Sequence, residues 1–162
     1  MKTIQHFVNG KSFSGESKKT GKIFNPATGE QDAEVKLAST KDINEAVLNA
    51  KKAFDAWAST PPLQRARVMF KFKELIEKNS DDLTKIIVAE HGKVYEDARG
   101  SLTRGLEVVE YACGIPQMLK GEFTENVGKN VDSWSIRQPL GVCAGITPFN
   151  FPAMVPMWMF PM

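Results

Sequence analysis

An uncharged apolar segment near the end of the printed sequence constrains the fold more than any other feature. Residues 140–146, Leu-Gly-Val-Cys-Ala-Gly-Ile, form a continuous run of small apolar residues that follows Pro139 and leads into a turn at residues 147–150. Such a run is typical of a strand that is buried on both faces of a parallel sheet. Because helix-forming residues follow the turn, the segment predicts an α/β fold with a ligand site at the carboxyl end of this strand.

The first forty residues predict two antiparallel strand pairs. Residues 5–8 and 11–13 flank Asn9-Gly10, a dipeptide that is typical of tight hairpin turns. Residues 22–24 and 34–37 lie on either side of a turn cluster at 25–29. Later in the chain, residues 122–124 and 132–137 again predict strands, with Trp134 and Ile136 on one face.

Four amphipathic helices are predicted between these strand regions. Their expected starts are Ser39 or Thr40, Thr60 followed by Pro61 in the first turn, Ser80, and Val94. Gly92 is expected to end the third helix in a left-handed conformation, and the fourth helix is expected to reach Tyr111. The first helix has an apolar stripe of Ile43, Ala46, Val47, Ala50, Phe54 and Trp57, and the third is marked by Leu83, Ile86, Ile87 and Glu90. The predicted buried faces of the second and fourth helices are Val68, Met69, Phe72, Leu75 and Ile76, and Ala98, Leu102, Leu106, Val109 and Cys113.

The fourth helix contains two glycines, Gly100 and Gly105, although glycine destabilises a helix interior, so their presence calls for a structural explanation. Close packing against another element would supply one, and access for a ligand would supply another.

Charge and cysteine usage exclude several classes of partner. The 162 residues carry 21 basic and 19 acidic side chains, a net charge of +2 that gives no reason to expect nucleic acid or a membrane surface as a partner. Cys113 and Cys143, with only two histidines, form neither a disulfide framework nor a zinc-ligand pattern, so no metal site is expected. The N-terminal residues lack the features of a signal or transit peptide, which favours the bacterial cytoplasm or, alternatively, a processed protein of the mitochondrial matrix.

Residues 146–162 contain no charged residue and four prolines, which makes them a poor membrane span and a large apolar surface. We therefore expect the chain to be a fragment whose partner surface lies in a further segment. A short interfacial or subunit-contact tail is the alternative.

Residues 147–152, Thr-Pro-Phe-Asn-Phe-Pro, resemble the Pro-aromatic-Asn-Phe-Pro signature of the aldehyde dehydrogenase superfamily. The resemblance covers essentially the whole chain. At position 149 most members of the superfamily have tryptophan, and the phenylalanine of this sequence resembles the methylmalonate-semialdehyde subgroup. Residues 104–110 and 153–162 also resemble that subgroup. The other features in the family's order are the turn at 25–30, residues 54–57, the helix that carries Arg65, and residues 138–142.

The resemblance implies the N-terminal part of the aldehyde dehydrogenase fold, with β-hairpins, a four-helix segment, oligomerisation strands and the first strand of a Rossmann-like parallel sheet. The implied divisions are residues 1–120 for the hairpins and helices of the NAD-binding domain, 121–139 for the oligomerisation strands, and 140–162 for the start of the Rossmann-like core. The complete protein is then expected to be a homotetramer or a homodimer.

The resemblance also implies the site residues. Asn150 would be catalytic, since its side-chain amide can donate to the oxyanion that forms on the substrate. The resemblance assigns residues Ile146, Thr147, Pro148 and Phe149 to NAD contact, and Arg104, Phe151 and Trp158 to substrate binding. By base rates alone an isolated asparagine in this setting is more often a turn residue; a solvated surface residue is the alternative for Arg104, and core packing is the alternative for the two aromatic residues.

The implied reaction is the NAD-dependent oxidation of methylmalonate or malonate semialdehyde to an acyl-CoA, with coenzyme A as co-substrate, as in valine and inositol catabolism. The sequence has no Gly-x-Gly-x-x-Gly pattern, and the family's catalytic cysteine and its NAD-binding lysine would lie beyond Met162. Cys113 and Cys143 are expected to be packing residues, on a helix and in a buried strand. Another NAD(P)-dependent aldehyde dehydrogenase, or a non-catalytic assembly module, remains open as an alternative.

Overall fold

The structure, a computed structural model, describes residues 2–162. Its strands are β1 Lys2–Ile4, β2 His6–Val8, β3 Lys11–Phe13, β4 Thr20–Phe24, β5 Gln31–Lys36, β6 Phe123–Gly128 and β7 Val131–Trp134. Its helices are α1 Thr40–Ser59, α2 Pro62–Lys78, α3 Ser80–His91, α4 Tyr95–Cys113, α5 Ile115–Met118 and α6 Met154–Met159.

Both predicted strand pairs at the N-terminus are confirmed. Strands β2 and β3 form an antiparallel hairpin, and Asn9 and Gly10 take φ values of 53° and 73°, the left-handed conformation that a tight hairpin turn requires. Strands β4 and β5 pair in antiparallel fashion, whereas β1 adds to β5 in parallel, a pairing that the sequence did not predict.

The helix boundaries follow the predicted signals with two corrections. Ser39 caps α1, and Gly92 ends α3 with φ 79°, as predicted. Thr60, however, ends α1, and Pro61 is the residue before α2, because Pro62 supplies the first-turn proline. Ser80 is the first residue of α3, and Asn79 flanks it. The short helix α5 was not predicted.

Helix α4 lies at the centre of the core. Its predicted inward residues Ala98, Leu102, Val109 and Cys113 are buried, and Leu106 packs against the same cluster. Helices α2, α3 and α6 contribute one residue each to the buried cluster. The core therefore joins the middle of the chain to its last helix, with contributions from Ile76, Ile87 and Met157.

The apolar faces predicted for α1 and α2 are only partly buried. Ile43, Val47 and Trp57 on α1 are exposed, and so are Val68, Phe72 and Leu75 on α2; Ile76 is the buried member of its predicted face. Ile86 on α3 is exposed as well. The periodicity identified the apolar side of each helix, but within residues 2–162 little packs over these sides.

Strands β6 and β7 form an antiparallel hairpin that is exposed along its whole length. The second strand ends at Trp134, three residues earlier than predicted, and Ile136 lies outside it. Glu122 and Ser135 close the open end of the hairpin through two hydrogen bonds, in which Ser135 N–H donates to the Glu122 carbonyl and Glu122 N–H donates to Ser135 Oγ, both at 2.9 Å.

The prediction of a buried parallel strand at residues 140–146 is wrong for this structure. The segment is not in a sheet, and Leu140 and Ile146 are each 95% exposed. A parallel strand needs hydrogen-bonding neighbours, and no other strand of residues 2–162 lies beside this one. Instead, a methyl group built on Gly145 would lie 2.9 Å from side-chain atoms of Met159 and Phe160, so the segment lies against the end of α6.

Within residues 2–162, none of the helices is both long and apolar enough to span a membrane.

Candidate active site

The candidate site lies where α6 meets α4, and Gly105 permits this approach. A methyl group built on Gly105 would lie 2.4 Å from Met157 Cε and 3.1 Å from the Cα atom of Met154. The reason for a glycine at position 105 is therefore close packing against α6 rather than access for a ligand. The space beside Gly105, which access for a ligand would have needed, is occupied by α6.

A hydrogen bond between α6 and α4 connects two of the predicted substrate residues. The indole Nε1–H of Trp158 donates to the main-chain carbonyl of Arg104 at 3.2 Å. Since this carbonyl belongs to the helix that carries the arginine, the bond fixes Trp158 beside Arg104. Trp158 is exposed, so its ring also offers surface to a ligand.

Phe151, the third predicted substrate residue, lies beside the Arg104 side chain. The Cζ atom of Arg104 lies 5.9 Å from the centroid of the Phe151 ring, within the range of a cation–π contact. The structure therefore brings Arg104, Phe151 and Trp158 together, although they lie up to 54 positions apart in the sequence.

Arg104 has a charge that no carboxylate of residues 2–162 neutralises. Its Nη2 donates to Ser101 Oγ at 3.4 Å, a long hydrogen bond within its own helix, and the residue is exposed. It takes part in none of the ion pairs that the described residues form. An exposed guanidinium beside an aromatic ring can bind a carboxylate through two parallel hydrogen bonds.

The turn at residues 147–150 lies on the surface. Thr147, Pro148, Phe149 and Asn150 are all exposed, and the preceding Ile146 is exposed as well. The Asn150 side chain makes no hydrogen bond to any of residues 2–162, so its amide N–H is available to a ligand. Asn150 is adjacent to Phe151, but its predicted catalytic role stays a prediction, as do the predicted NAD contacts.

The two cysteines have opposite environments. Cys113 is buried on α4, where its Sγ–H donates to the Val109 carbonyl at 3.4 Å and burial raises the pKa of its thiol. A packing role fits these observations. The expected burial of Cys143 in a strand is wrong, because its segment lies outside any sheet and the residue is exposed.

Lys93 is a member of this cluster that the sequence did not identify. Its Nζ lies 4.2 Å from the centroid of the Phe151 ring and 3.1 Å from Asp97 Oδ2. The spacing of four residues, from just before α4 into its first turn, could have indicated the ion pair with Asp97. No local pattern could have indicated the contact with Phe151, which lies far along the chain. Among residues 2–162, no group of three or more metal-ligating side chains could hold a metal ion.

Comparison with known proteins identifies the class to which this fold and cluster belong. Residues 13–162 match the sequence profile described as the aldehyde dehydrogenase family, and the chain belongs to that family. Its helices and small sheets match the N-terminal part of the aldehyde dehydrogenase fold, which confirms the predicted fold class.

Within the family, the chain is similar to semialdehyde dehydrogenases. It is 51% identical over its whole length to malonate-semialdehyde dehydrogenase of Pseudomonas aeruginosa, and covers 32% of that protein. It is 48% identical over 98% of its length to the acylating, mitochondrial methylmalonate-semialdehyde dehydrogenase of Arabidopsis thaliana, and covers 26% of it. A crystal structure from Sinorhizobium meliloti complexed with NAD is 51% identical, matches with a TM-score of 0.96 over 99% of this chain, and is covered to 33%. The chain thus spans about a third or less of the length of these relatives.

Proposed function

We propose that the complete protein oxidises malonate semialdehyde or methylmalonate semialdehyde with NAD and transfers the acyl group to coenzyme A. The observation that carries this proposal is the unneutralised guanidinium of Arg104 beside the Phe151 ring, on a helix whose Arg104 carbonyl accepts a hydrogen bond from Trp158. These substrates carry a carboxylate at the end opposite the aldehyde, and a planar guanidinium is the side chain best suited to hold one. The names of the P. aeruginosa and A. thaliana relatives support the same substrate class.

Residues 146–149 have features that suit part of a nucleotide. Ile146 and Phe149, 95% and 89% exposed, offer apolar surface to a ring, and Thr147 offers a hydroxyl to a ribose. The segment has no cation to meet a phosphate, so we assign it to the nicotinamide end of NAD. When bound, NAD would accept the hydride that leaves the aldehyde carbon. A solved relative contains NAD, which supports this cofactor for the family.

In the proposed site, Asn150 donates its side-chain N–H to the negatively charged oxygen that forms when a thiolate adds to the aldehyde carbonyl. The thiolate does not come from Cys113, since that thiol is buried and hydrogen-bonded within α4. Collapse of the adduct leaves an acyl group on the thiol as a thioester, from which coenzyme A would remove it.

Replacement of Asn150 and Arg104 in the complete protein tests both roles. Asn150→Ala is expected to lower kcat about 10²- to 10³-fold, the usual effect of removing one oxyanion donor. Arg104→Leu is expected to lower kcat/KM for malonate semialdehyde about 10- to 100-fold, because a hydrogen bond to a charged group is lost. The same variant should oxidise propanal, which lacks the carboxylate, about as fast as the unchanged protein.

Arg99→Leu is the matched control, since Arg99 is an exposed arginine on the same helix. Unchanged handling of malonate semialdehyde by Arg104→Leu would remove Arg104 from the site and favour another aldehyde as the substrate.

The β6–β7 hairpin supports a second proposal, that the complete protein is a homodimer or homotetramer assembled through residues 121–139. Phe123, Val127, Val131 and Trp134 are all exposed on this hairpin, and an apolar exposed hairpin is suited to a protein contact. If the protein acted only as an assembly module, the Asn150→Ala and Arg104→Leu variants would assemble normally and there would be no aldehyde oxidation to lose.

We place the protein in the cytoplasm; the mitochondrial matrix is the alternative, as in the name of the A. thaliana relative.

A further inference from the structure

Lys93 lies in the short link between α3 and α4, where its side chain is unusually buried for a lysine. Its side chain is 11% exposed, although its ion-pair partner Asp97 is 52% exposed. Lys71, Lys73 and Lys85 each pair with a carboxylate on their own helix, and their side chains are 61%, 23% and 63% exposed. Lys93 is therefore the most buried of these paired lysines, and an ion pair alone does not set how much of a lysine side chain is covered.

Lys93 differs from these other lysines in its contact with the Phe151 ring. The ammonium group lies 4.2 Å from the ring centroid, well within the distance at which a cation is attracted to the electron-rich face of an aromatic ring. The ion pair with Asp97, at 3.1 Å, keeps the side chain directed along the start of α4. Lys93 is therefore held between an acidic residue of α4 and an aromatic residue of the last segment of the chain.

The segment before Phe151 has few other attachments. Residues 147–150 are exposed, and none of their backbone groups makes a hydrogen bond within residues 2–162. The first backbone group of this region that does so is the Phe151 carbonyl, which accepts from Val155 N–H at 3.3 Å. The ring of Phe151, one residue after Asn150, is thus the nearest side-chain anchor of the turn.

We infer that Lys93 is a positioning residue that fixes the turn at residues 147–150, and with it the Asn150 amide, by holding the Phe151 ring through its ammonium group. Lys93 does not touch the reacting atoms. The inference rests on the proposed function only for its effect on turnover. The contact itself can be tested without substrate.

The substrate-free test measures amide hydrogen exchange at Val155 in the complete protein, because the Val155 N–H donates to the Phe151 carbonyl and therefore reports whether Phe151 is held. Lys93→Met keeps the length and apolar stem of the side chain and removes the charge, so exchange at Val155 should become about tenfold faster. Lys93→Arg should restore slow exchange, because a guanidinium also stacks on aromatic rings. Lys73→Met is the control, since Lys73 has a side chain that is 23% exposed and an i,i+4 partner, Glu77, at 2.6 Å, but makes no aromatic contact within residues 2–162.

The same variants separate positioning from simple loss of stability. With malonate semialdehyde as substrate, Lys93→Met should lower kcat about tenfold with KM nearly unchanged, since the misplaced donor acts in the transition state. Lys93→Arg should recover most of the rate, and Lys73→Met should leave it unchanged. Exchange at Val155 that is as slow in Lys93→Met as in the unchanged protein, or as fast in Lys73→Met as in Lys93→Met, would overturn the inference whatever the activity shows. Faster exchange in an enzyme that does not oxidise the semialdehyde would support the positioning contact and remove only the proposed function.

Discussion

Helices α1 and α4 have apolar stripes of similar regularity, yet the chain covers only one of them. On α4, Ala98, Leu102 and Val109 are almost completely buried under α2, α3 and α6. On α1, Ile43 and Val47 occupy equivalent positions in the stripe and are about half exposed. The comparison shows that periodicity identifies the side of a helix that should be covered, but does not identify the segment that covers it.

The burial of α4 also means that this helix, unlike α1, can hold the side chains of a binding site in place. Two of the residues proposed to bind substrate, Arg104 and Trp158, lie on α4 and α6, which pack against each other through Gly105 and the Trp158–Arg104 hydrogen bond. The side chains are therefore held by a packed core. The exposed turn at 147–150 adjoins this core and depends on it through Phe151.

The largest expected effect is a loss of stability when the buried stripe is shortened. Leu102→Ala removes a side chain that is 3% exposed and should lower the free energy of unfolding by about 2–5 kcal/mol. Ile43→Ala removes a side chain of equal size that is 54% exposed, and should change it by no more than about 0.5 kcal/mol. Urea unfolding of the 162-residue chain measures both. Equal losses in the two variants would mean that the α1 stripe is covered as well.

A smaller effect is expected from the two glycines of α4, which form a matched pair. Gly105→Ala places a methyl group 2.4 Å from Met157 Cε and 3.1 Å from backbone, so α6 must move and the cost should be about 1–3 kcal/mol. Gly100→Ala meets nothing within 4 Å and should stabilise the helix by about 0.5–1 kcal/mol. Thermal unfolding of both variants should therefore shift in opposite directions. A shift in the same direction would contradict close packing at Gly105.

The sequence predicted local features well, because their causes are local. The Asn9-Gly10 turn, the Ser39 cap and the Gly92 helix end each depend on one or two residues whose backbone preferences decide the outcome. The start of α2 at Pro62 was a choice between neighbouring prolines, and it depends on which carbonyl accepts the first hydrogen bonds of the helix; here Gln64 and Arg65 N–H donate to the Pro61 carbonyl.

Features that depend on distant residues were predicted less well. The run at 140–146 has the composition of a buried strand, but strand formation needs neighbouring strands, and residues 2–162 place none beside it. The clustering of Arg104, Phe151 and Trp158 is observed, but the sequence assigned these residues only through the family resemblance. Lys93 was missed, since its important contact is with a ring 58 residues away along the printed sequence.

The smallest of the three effects concerns the start of α1, which is the best-anchored part of the exposed helix. Asp42 is buried there, and its carboxylate accepts hydrogen bonds from Ser39 N–H and Ser39 Oγ–H, both at 2.7 Å, and from Glu16 N–H at 2.8 Å. The Ser39 backbone is the main cause, followed by the Glu16 backbone, of a pKa lowered from 3.8 to about 2. Asp42 therefore joins the loop before β4 to the helix cap.

A carboxyl whose pKa is lowered on folding stabilises the folded state when it is ionised, so its contribution is fully present above its ordinary pKa and is lost as the pH falls through the folded value. Asp42→Asn should consequently be less stable than the unchanged chain at pH 6. The difference should shrink between about pH 4 and pH 2, because the unchanged chain loses the contribution there and the variant has none to lose. Asp55→Asn, at an exposed position of the same helix, provides the control in urea unfolding at each pH. A difference between Asp42→Asn and the unchanged chain that stays constant from pH 6 to pH 2 would show that the carboxylate does not anchor α1, and would leave this helix without a strong attachment at its N-terminal end.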